Sequence, residues 1–217
     1  MSTKKTGKVP LIAEMTIQGW LDALAQPTPT PAGGSAAAVA GAMAAALVML
    51  ACDVTLARQP STDRAVRLNA ARQAAVARRQ ELLALAEADA YAFEQLMAAR
   101  RLPKATPEEA ATRQAAIAAA QPAVIALPCQ AALASAAVAH LAEDALADVT
   151  PSVRGDLVAA ALLAEACLRA NQVNLTLNLA SVSDRQLAAQ VERQMAEANE
   201  GIAAIRERML AFGARSA

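Results

Sequence analysis

The sequence predicts an all-α fold: an antiparallel bundle of long helices, orthogonal or up-down, that pairs into a dimer. Three observations carry this. Apolar residues make up 56% of the 217 but aromatics only 2%, and alanine dominates; alanine has the best helix propensity of any residue. Long stretches free of Gly and Pro alternate with short clusters of Pro, Gly, Ser and Thr, where helices start and stop. No period-two alternation and no hairpin dipeptide occurs.

The elements follow in order. Residues 1–8 (MSTKKTGK) carry three lysines with no apolar run behind them, so no secretory leader is expected. Residues 1–13 are expected to be a disordered tail and 14–217 one helical domain, a length that suits a single core. Thr16 reads as the N-cap of a short helix to Ala25. Gln26-Pro-Thr-Pro-Thr-Pro-Ala-Gly-Gly34 breaks it, because proline removes a backbone donor and clashes with the preceding turn. Ser35 then reads as the cap of an apolar helix reaching Leu56. A turn at 59–63 opens a long helix from Thr62 to Arg100.

Leu102-Pro-Lys-Ala105 connects it to a strong start signal: Thr106 as cap, Pro107 at the first position and Glu109 at the third. That helix meets Pro122 and Pro128, so a kink or split is expected there. Pro151–Gly155 marks a further break, with a helix from Asp156 to Leu179. Ser183-Asp-Arg-Gln186 should cap the last helix, which ends near Gly213.

Twenty basic and twenty acidic residues balance, which excludes a general nucleic-acid binder. Cys52, Cys129 and Cys167 lie far apart in apolar stretches and read as reduced core thiols of a cytoplasmic protein. Ser35–Cys52 is long enough to span a bilayer, but it is mostly alanine and has no flanking aromatic anchors. With no second comparable segment, it reads as a buried central helix and not a membrane span.

The chemistry is narrow. His140 is the only histidine and sits in an apolar run, so a core or interface role is expected and zinc-ligand spacing is absent. No phosphate-binding glycine loop of the nucleotide type occurs. Gly33-Gly34-Ser35 at a helix start reads either as a plain turn or as an anion cradle of free N–H groups.

On the long helix, Leu82, Ala86, Asp89, Phe93, Leu96 and Met97 share one apolar stripe, with Glu87, Tyr91 and Glu94 opposite. A carboxyl placed there has either a structural partner or an acid/base task, and burial raises its pKa. From Asp156, the residues Ala160, Leu163, Cys167, Asn171, Asn174 and Asn178 lie on one face. Three amides on an apolar face form either an inter-helix polar network or a row that binds a heterocycle. Asp156 and Asn174 are about 27 Å apart along a straight helix, so they serve one reacting atom only through a symmetric partner.

These pieces resemble a known family. Leu21-Asp22 with Pro31-Ala-Gly-Gly-Ser-Ala-Ala37 looks like the P-x-P-G-G-G-S segment of the cyclodeaminase domain of formiminotransferase-cyclodeaminase and the related methenyltetrahydrofolate cyclohydrolases. Ala88-Asp-Ala-Tyr-Ala-Phe93 resembles the family's D-A-x-A-F motif, and Arg101-Leu-Pro-Lys-Ala-Thr-Pro-Glu-Glu109 its R-L-P-K-x-T-x-E-E segment. Asp156, Asn174 and Asn178-Leu179 match its late S-D and N-V-x-x-N-L positions. Order and spacing hold over residues 14–210. Ala32 replaces the first glycine of the triple, Gly155 the serine before Asp156, and Val149-Thr150 stands in place of a Gly-Asn pair.

The resemblance implies a helical homodimer acting on 5,10-methenyltetrahydrofolate or a neighbouring one-carbon form. The carbon between two nitrogens is already electrophilic, so no metal or redox cofactor is expected, and the folate enters as substrate. It implies Asp89 as acid/base and Lys104 either on substrate carboxylates or setting the charge state of Asp89. Gly33, Gly34, Ser35, Phe93, Asp156, Asn174 and Asn178 would bind substrate, with Arg58 and Arg101 on its glutamate tail. Hydrolysis to 10-formyltetrahydrofolate is placed ahead of cyclodeamination of 5-formiminotetrahydrofolate, because these 217 residues hold no formiminotransferase domain. A non-catalytic helical dimer or folate-binding scaffold is the alternative.

Overall fold

A computed structural model describes residues 11–180 and 185–215. Six α-helices and two 3-10 turns account for the elements, with no strand among the described residues. They are α1 (Ile17–Leu24), α2 (Gly33–Leu56), α3 (Thr62–Arg100), α4 (Pro107–Ala145), α5 (Arg154–Leu179) and α6 (Arg185–Arg215). The 3-10 turns are Ile12–Glu14 and Pro151–Val153. The first of them donates the Ala13 N–H to Glu87 on α3 at 3.2 Å. Residues 1–10 and Ser183-Asp184, the expected cap of the last helix, lie outside the described residues.

Local signals set most boundaries. Thr16 caps α1 by accepting from the Gly19 N–H. The Thr106–Glu109 capping box is complete, with Pro107 at the first position of α4. Gln59, at φ 52°, turns the chain out of α2.

Three expectations are corrected. Ser35 does not cap α2: the cap position is Ala32, whose carbonyl accepts from Ala36 at 3.0 Å, leaving the Ser35 hydroxyl for another partner. α4 is not split at Pro122 or Pro128 but runs unbroken through both. α5 begins two residues early, so Gly155 and Asp156 lie in its first turn.

The continuity of α4 has a local cause. Pro128 has no N–H, so the buried Val124 carbonyl four residues back lacks its helical donor. Asn178 of α5 supplies it, with Nδ2 at 2.7 Å.

α2, α3, α4 and α5 form an up-down bundle in which each neighbour runs antiparallel to the last. Ser35 at the start of α2 meets Asp89 late in α3, whereas Asp53 at its end pairs with Arg72 early in α3. α6 packs outside, along α4 and α5. Glu165, buried on α5, accepts from Arg169 and from Arg206 of α6, each at 2.7 Å. Alanine is the commonest residue of the core, with Leu68, Leu82, Leu157, Leu168 and Leu175 among the larger side chains between the alanine methyls. Gly41 lets α2 approach closely: a Cβ there would sit 3.0 Å from the Cys167 sulfur. All three cysteines are buried and free, and burial pushes the Cys52 thiol up to about 11. His140, expected in a core or interface, is exposed on α4.

The expectation of no second comparable apolar segment is corrected: α4 as well as α2 is long and apolar enough to cross a membrane. In each, 56% of the most apolar window is buried inside the bundle, as in central core helices.

Lengths position the site. α3 and α4 have 39 residues each, against 24 in α2 and 26 in α5, so the α3–α4 hairpin overhangs the bundle by about 20 Å. The step where α2 begins and α5 ends, against the middle of the long pair, is where the candidate site lies.

Candidate active site

Four helices meet at this step. The first turn of α2 presents Gly33, Gly34 and Ser35; α3 presents Asp89 and Phe93; α4 presents Val124; the last turns of α5 present Asn174, Leu177 and Asn178. With Ala32 and without Ser35, these residues line a cleft of about 240 Å³.

Asp89 is the ionisable group of the cleft. Its Oδ2 accepts from the Ser35 hydroxyl at 3.3 Å. Burial raises its carboxyl above the ordinary range; the Ser35 hydroxyl and backbone N–H pull it back only in part. Among the described residues Asp89 has no ion-pair partner. The structure thus removes the neutralising cation that the sequence left open, and the carboxyl is held at a helix N-terminus with its proton affinity increased.

Gly34 is what allows that approach. A Cβ on it would lie 2.4 Å from Asp89 Oδ2 and 2.8 Å from Cγ and Oδ1, closer than any side chain tolerates. Gly33 faces open space, with nothing within 4 Å of a built Cβ. Of the family's glycine run, one position serves close packing on the carboxyl and its neighbour leaves the cleft open.

The asparagine face divides into three roles. Asn171 is buried and donates to the Cys167 carbonyl one turn back at 3.0 Å, so it is satisfied within α5. Asn178 satisfies the Val124 carbonyl. Asn174 lines the cleft and has no hydrogen-bond partner among the described residues, so its amide faces whatever enters. Phe93 supplies the aromatic wall.

The structure therefore brings together Gly33, Gly34, Ser35, Asp89, Phe93, Asn174 and Asn178. It does not bring the other four there within one chain. Lys104 and Arg101 are exposed at the tip of the α3–α4 overhang, and Arg101 is about 18 Å beyond Asp89 along the helix axis. Arg58 is at the opposite end of the bundle, donating to the Ser152 hydroxyl at 3.4 Å. Asp156 is at that end too, in the first turn of α5. There Arg67 grips Asp148 through two contacts of 2.6 Å, and this hydrogen bonding holds the Asp148 carboxyl below its ordinary range. Thr55 accepts from the Thr150 N–H at 3.0 Å. The segment at 148–152 that departs from the family pattern is therefore built as a helix-end clasp. Val124 was absent from the sequence-predicted set; the signal for it was Pro128, four residues on.

A family model described as formiminotransferase-cyclodeaminase matches residues 16–197. The chain belongs to the formiminotransferase-cyclodeaminase family. It is 34% identical over 173 residues to the methenyltetrahydrofolate cyclohydrolase of Methylorubrum extorquens, covering 80% of this chain and 83% of that one. To the formimidoyltransferase-cyclodeaminase of Sus scrofa it is 29% identical over 165 residues, 76% of this chain but 30% of the longer pig protein. The crystal structure of a formiminotetrahydrofolate cyclodeaminase from Thermotoga maritima superposes with a TM-score of 0.80 at 24% identity, covering 91% of this chain and 95% of the other. That likeness establishes the family fold for the bundle described above.

Proposed function

We propose that this family member is a folate one-carbon enzyme that hydrolyses 5,10-methenyltetrahydrofolate to 10-formyltetrahydrofolate, with Asp89 as its acid/base. The observation that carries the reading is a carboxyl of raised pKa with no cation beside it among the described residues, in a cleft walled by an aromatic ring and by the Asn174 amide, which has no partner among them. The cyclohydrolase name of the Methylorubrum relative supports this chemistry.

The steps balance. Asp89 takes a proton from water as the oxygen bonds to the amidinium carbon, and the C=N π pair moves to nitrogen. The tetrahedral carbon then collapses: the C–N5 bond breaks, Asp89 returns its proton to N5, and the hydroxyl proton leaves to solvent as the formyl C=O forms. A carboxyl held above the ordinary carboxylate range by burial is better suited to both transfers than a solvated one, because general acid–base work needs a group that both takes and returns a proton.

Loss of methenyl absorbance on adding the enzyme tests the reading directly. Ammonia release from 5-formiminotetrahydrofolate without hydrolysis of the methenyl form would favour cyclodeamination, the activity in the name of the pig relative. Turnover of neither would leave a non-catalytic scaffold.

The assembly we propose is a homodimer. Along α2, Met43 and Leu50 are 55% and 45% exposed, on a face where Val39 and Leu47 are only partly covered. An apolar stripe of this kind is what a two-fold partner covers. Light scattering at micromolar concentration should return twice the 22.3 kDa chain mass; a monomer would refute the pairing.

Lys104 on the overhang is proposed to meet the outer carboxylates of a polyglutamate tail. Lys104→Ala should weaken binding of polyglutamylated folate a few-fold and the monoglutamate hardly at all, with the difference fading in salt, because exposed ion pairs are weak and screened. Equal weakening of both ligands in a titration would instead put Lys104 at the reacting centre.

A further inference from the structure

We propose that Arg100 fixes the first carboxylate of the substrate, in a second compartment of the same cleft. The inference rests on the folate reading above and names a residue that reading does not use.

A cavity of about 210 Å³ adjoins the Asp89 cleft and shares Val124 and Asn178 with it. Its wall runs from Leu96 to Arg100 on α3, with Gln114 facing from α4. On α3, Asp89, Phe93, Leu96 and Arg100 follow at steps of four, three and four, so all four fall within about 60° of one face. Arg101, one residue on, is turned about 100° away, and it lines neither compartment.

The order along this stripe is acid, aromatic, aliphatic, cation. A substrate with a reactive cationic carbon, then an aryl ring, then an amide bearing a carboxylate has the complementary order. Asp89 and Arg100 are about 16 Å apart in axial rise. Helical side chains lean toward the N-terminus, so the long Arg100 side chain reaches back over Leu96 and shortens that span.

Arg100 is also available. Among the described residues its guanidinium has no ion pair or hydrogen bond, whereas the nearby Arg113 donates to the Arg100 carbonyl at 3.1 Å. A planar guanidinium grips a carboxylate through two parallel hydrogen bonds, which a lysine cannot do.

The test compares 5,10-methenyltetrahydrofolate with its analogue in which an uncharged methylamide replaces the glutamate. Arg100 is exposed in the bundle, so Arg100→Ala should raise KM for the folate by a few-fold to about tenfold with kcat held, the range from a solvent-facing pair to one bidentate charge-assisted contact. The same variant should leave KM for the methylamide unchanged, and Arg100→Lys should recover part of the folate loss. Calorimetric binding of the two compounds should show the same split. Equal losses on both compounds, or no loss on the folate, would overturn the assignment. Failure of the unmodified enzyme to turn over either compound would overturn the folate reading itself, and this inference with it.

Discussion

Replacing Asp89 by Asn should lower turnover of 5,10-methenyltetrahydrofolate by about 10²-fold or more while folding and folate binding persist, the usual scale for a lost acid/base group. The carboxyl has no cation to lose, so the amide removes a charge from a half-buried site without orphaning a partner. The linkage sign agrees. A carboxyl whose folded pKa is raised above its unfolded value stabilises the protein below the unfolded pKa, and that contribution is lost as pH rises through the folded pKa. Above the unfolded pKa the raised carboxyl therefore contributes less stability than an uncharged group would, and Asp89→Asn should melt at the same temperature or higher. The variant should also lose the fall in stability with rising pH across that window. Circular dichroism melts at several pH values, beside the absorbance assay, check both arms. Unfolding of the variant, or undiminished turnover of methenyl- and formimino-folate, would make Asp89 a structural residue.

Gly34→Ala should be nearly as damaging to turnover, for a steric reason. The added methyl would meet all three carboxyl atoms of Asp89 at 2.4–2.8 Å. The aspartate side chain is too short to bend aside, so either the carboxyl rotates out of the cleft or the start of α2 shifts. A displacement of this order typically costs about 10²-fold in rate when it misplaces a reacting group. Overpacking should cost about 1–3 kcal/mol of stability, partly offset by the lower unfolded-state entropy of alanine relative to glycine. Gly33→Ala is the matched comparison: it meets nothing within 4 Å, so its melting temperature should hold or rise. A Gly34→Ala enzyme with unreduced kcat would refute the packing argument.

Much of this site was legible before folding, because helices convert spacing into direction. The stripe through Leu82, Asp89 and Phe93 and the face through Asn174 and Asn178 both point where the wheel puts them. A wheel gives azimuth but not height, and that is why Asp156, on the same face as Asn174, ends at the far end of the bundle. A serine after two glycines suits the cap role in sequence. The backbone instead enters the helix at Gly33, and the hydroxyl is left for Asp89. Arg101 belongs to the segment that carries the motif likeness, whereas the helical stripe from Asp89 runs through Arg100. The prolines of α4 read as breaks because only neighbouring structure can re-partner a freed carbonyl, and Asn178 is 54 residues away in sequence.

The Asn178–Val124 hydrogen bond has a consequence for how these helices find their places. Faces made largely of alanine are nearly smooth, since one methyl row looks like the next, and sliding one helix along another by a turn changes dispersion contacts little. Leucine-rich cores resist such slippage through the shapes of their side chains; alanine, the commonest residue of this core, offers no such shape. A proline that strips one carbonyl of its donor makes a single height on α4 different from every other. Only one vertical setting of α5 brings Asn178 to it, and any slip leaves a buried acceptor unpaired, at about 1–3 kcal/mol. At the opposite end the Thr150 N–H donates to the Thr55 hydroxyl and ties the α4–α5 connection to α2. Between those two bonds, the bundle holds its alignment along an otherwise featureless seam.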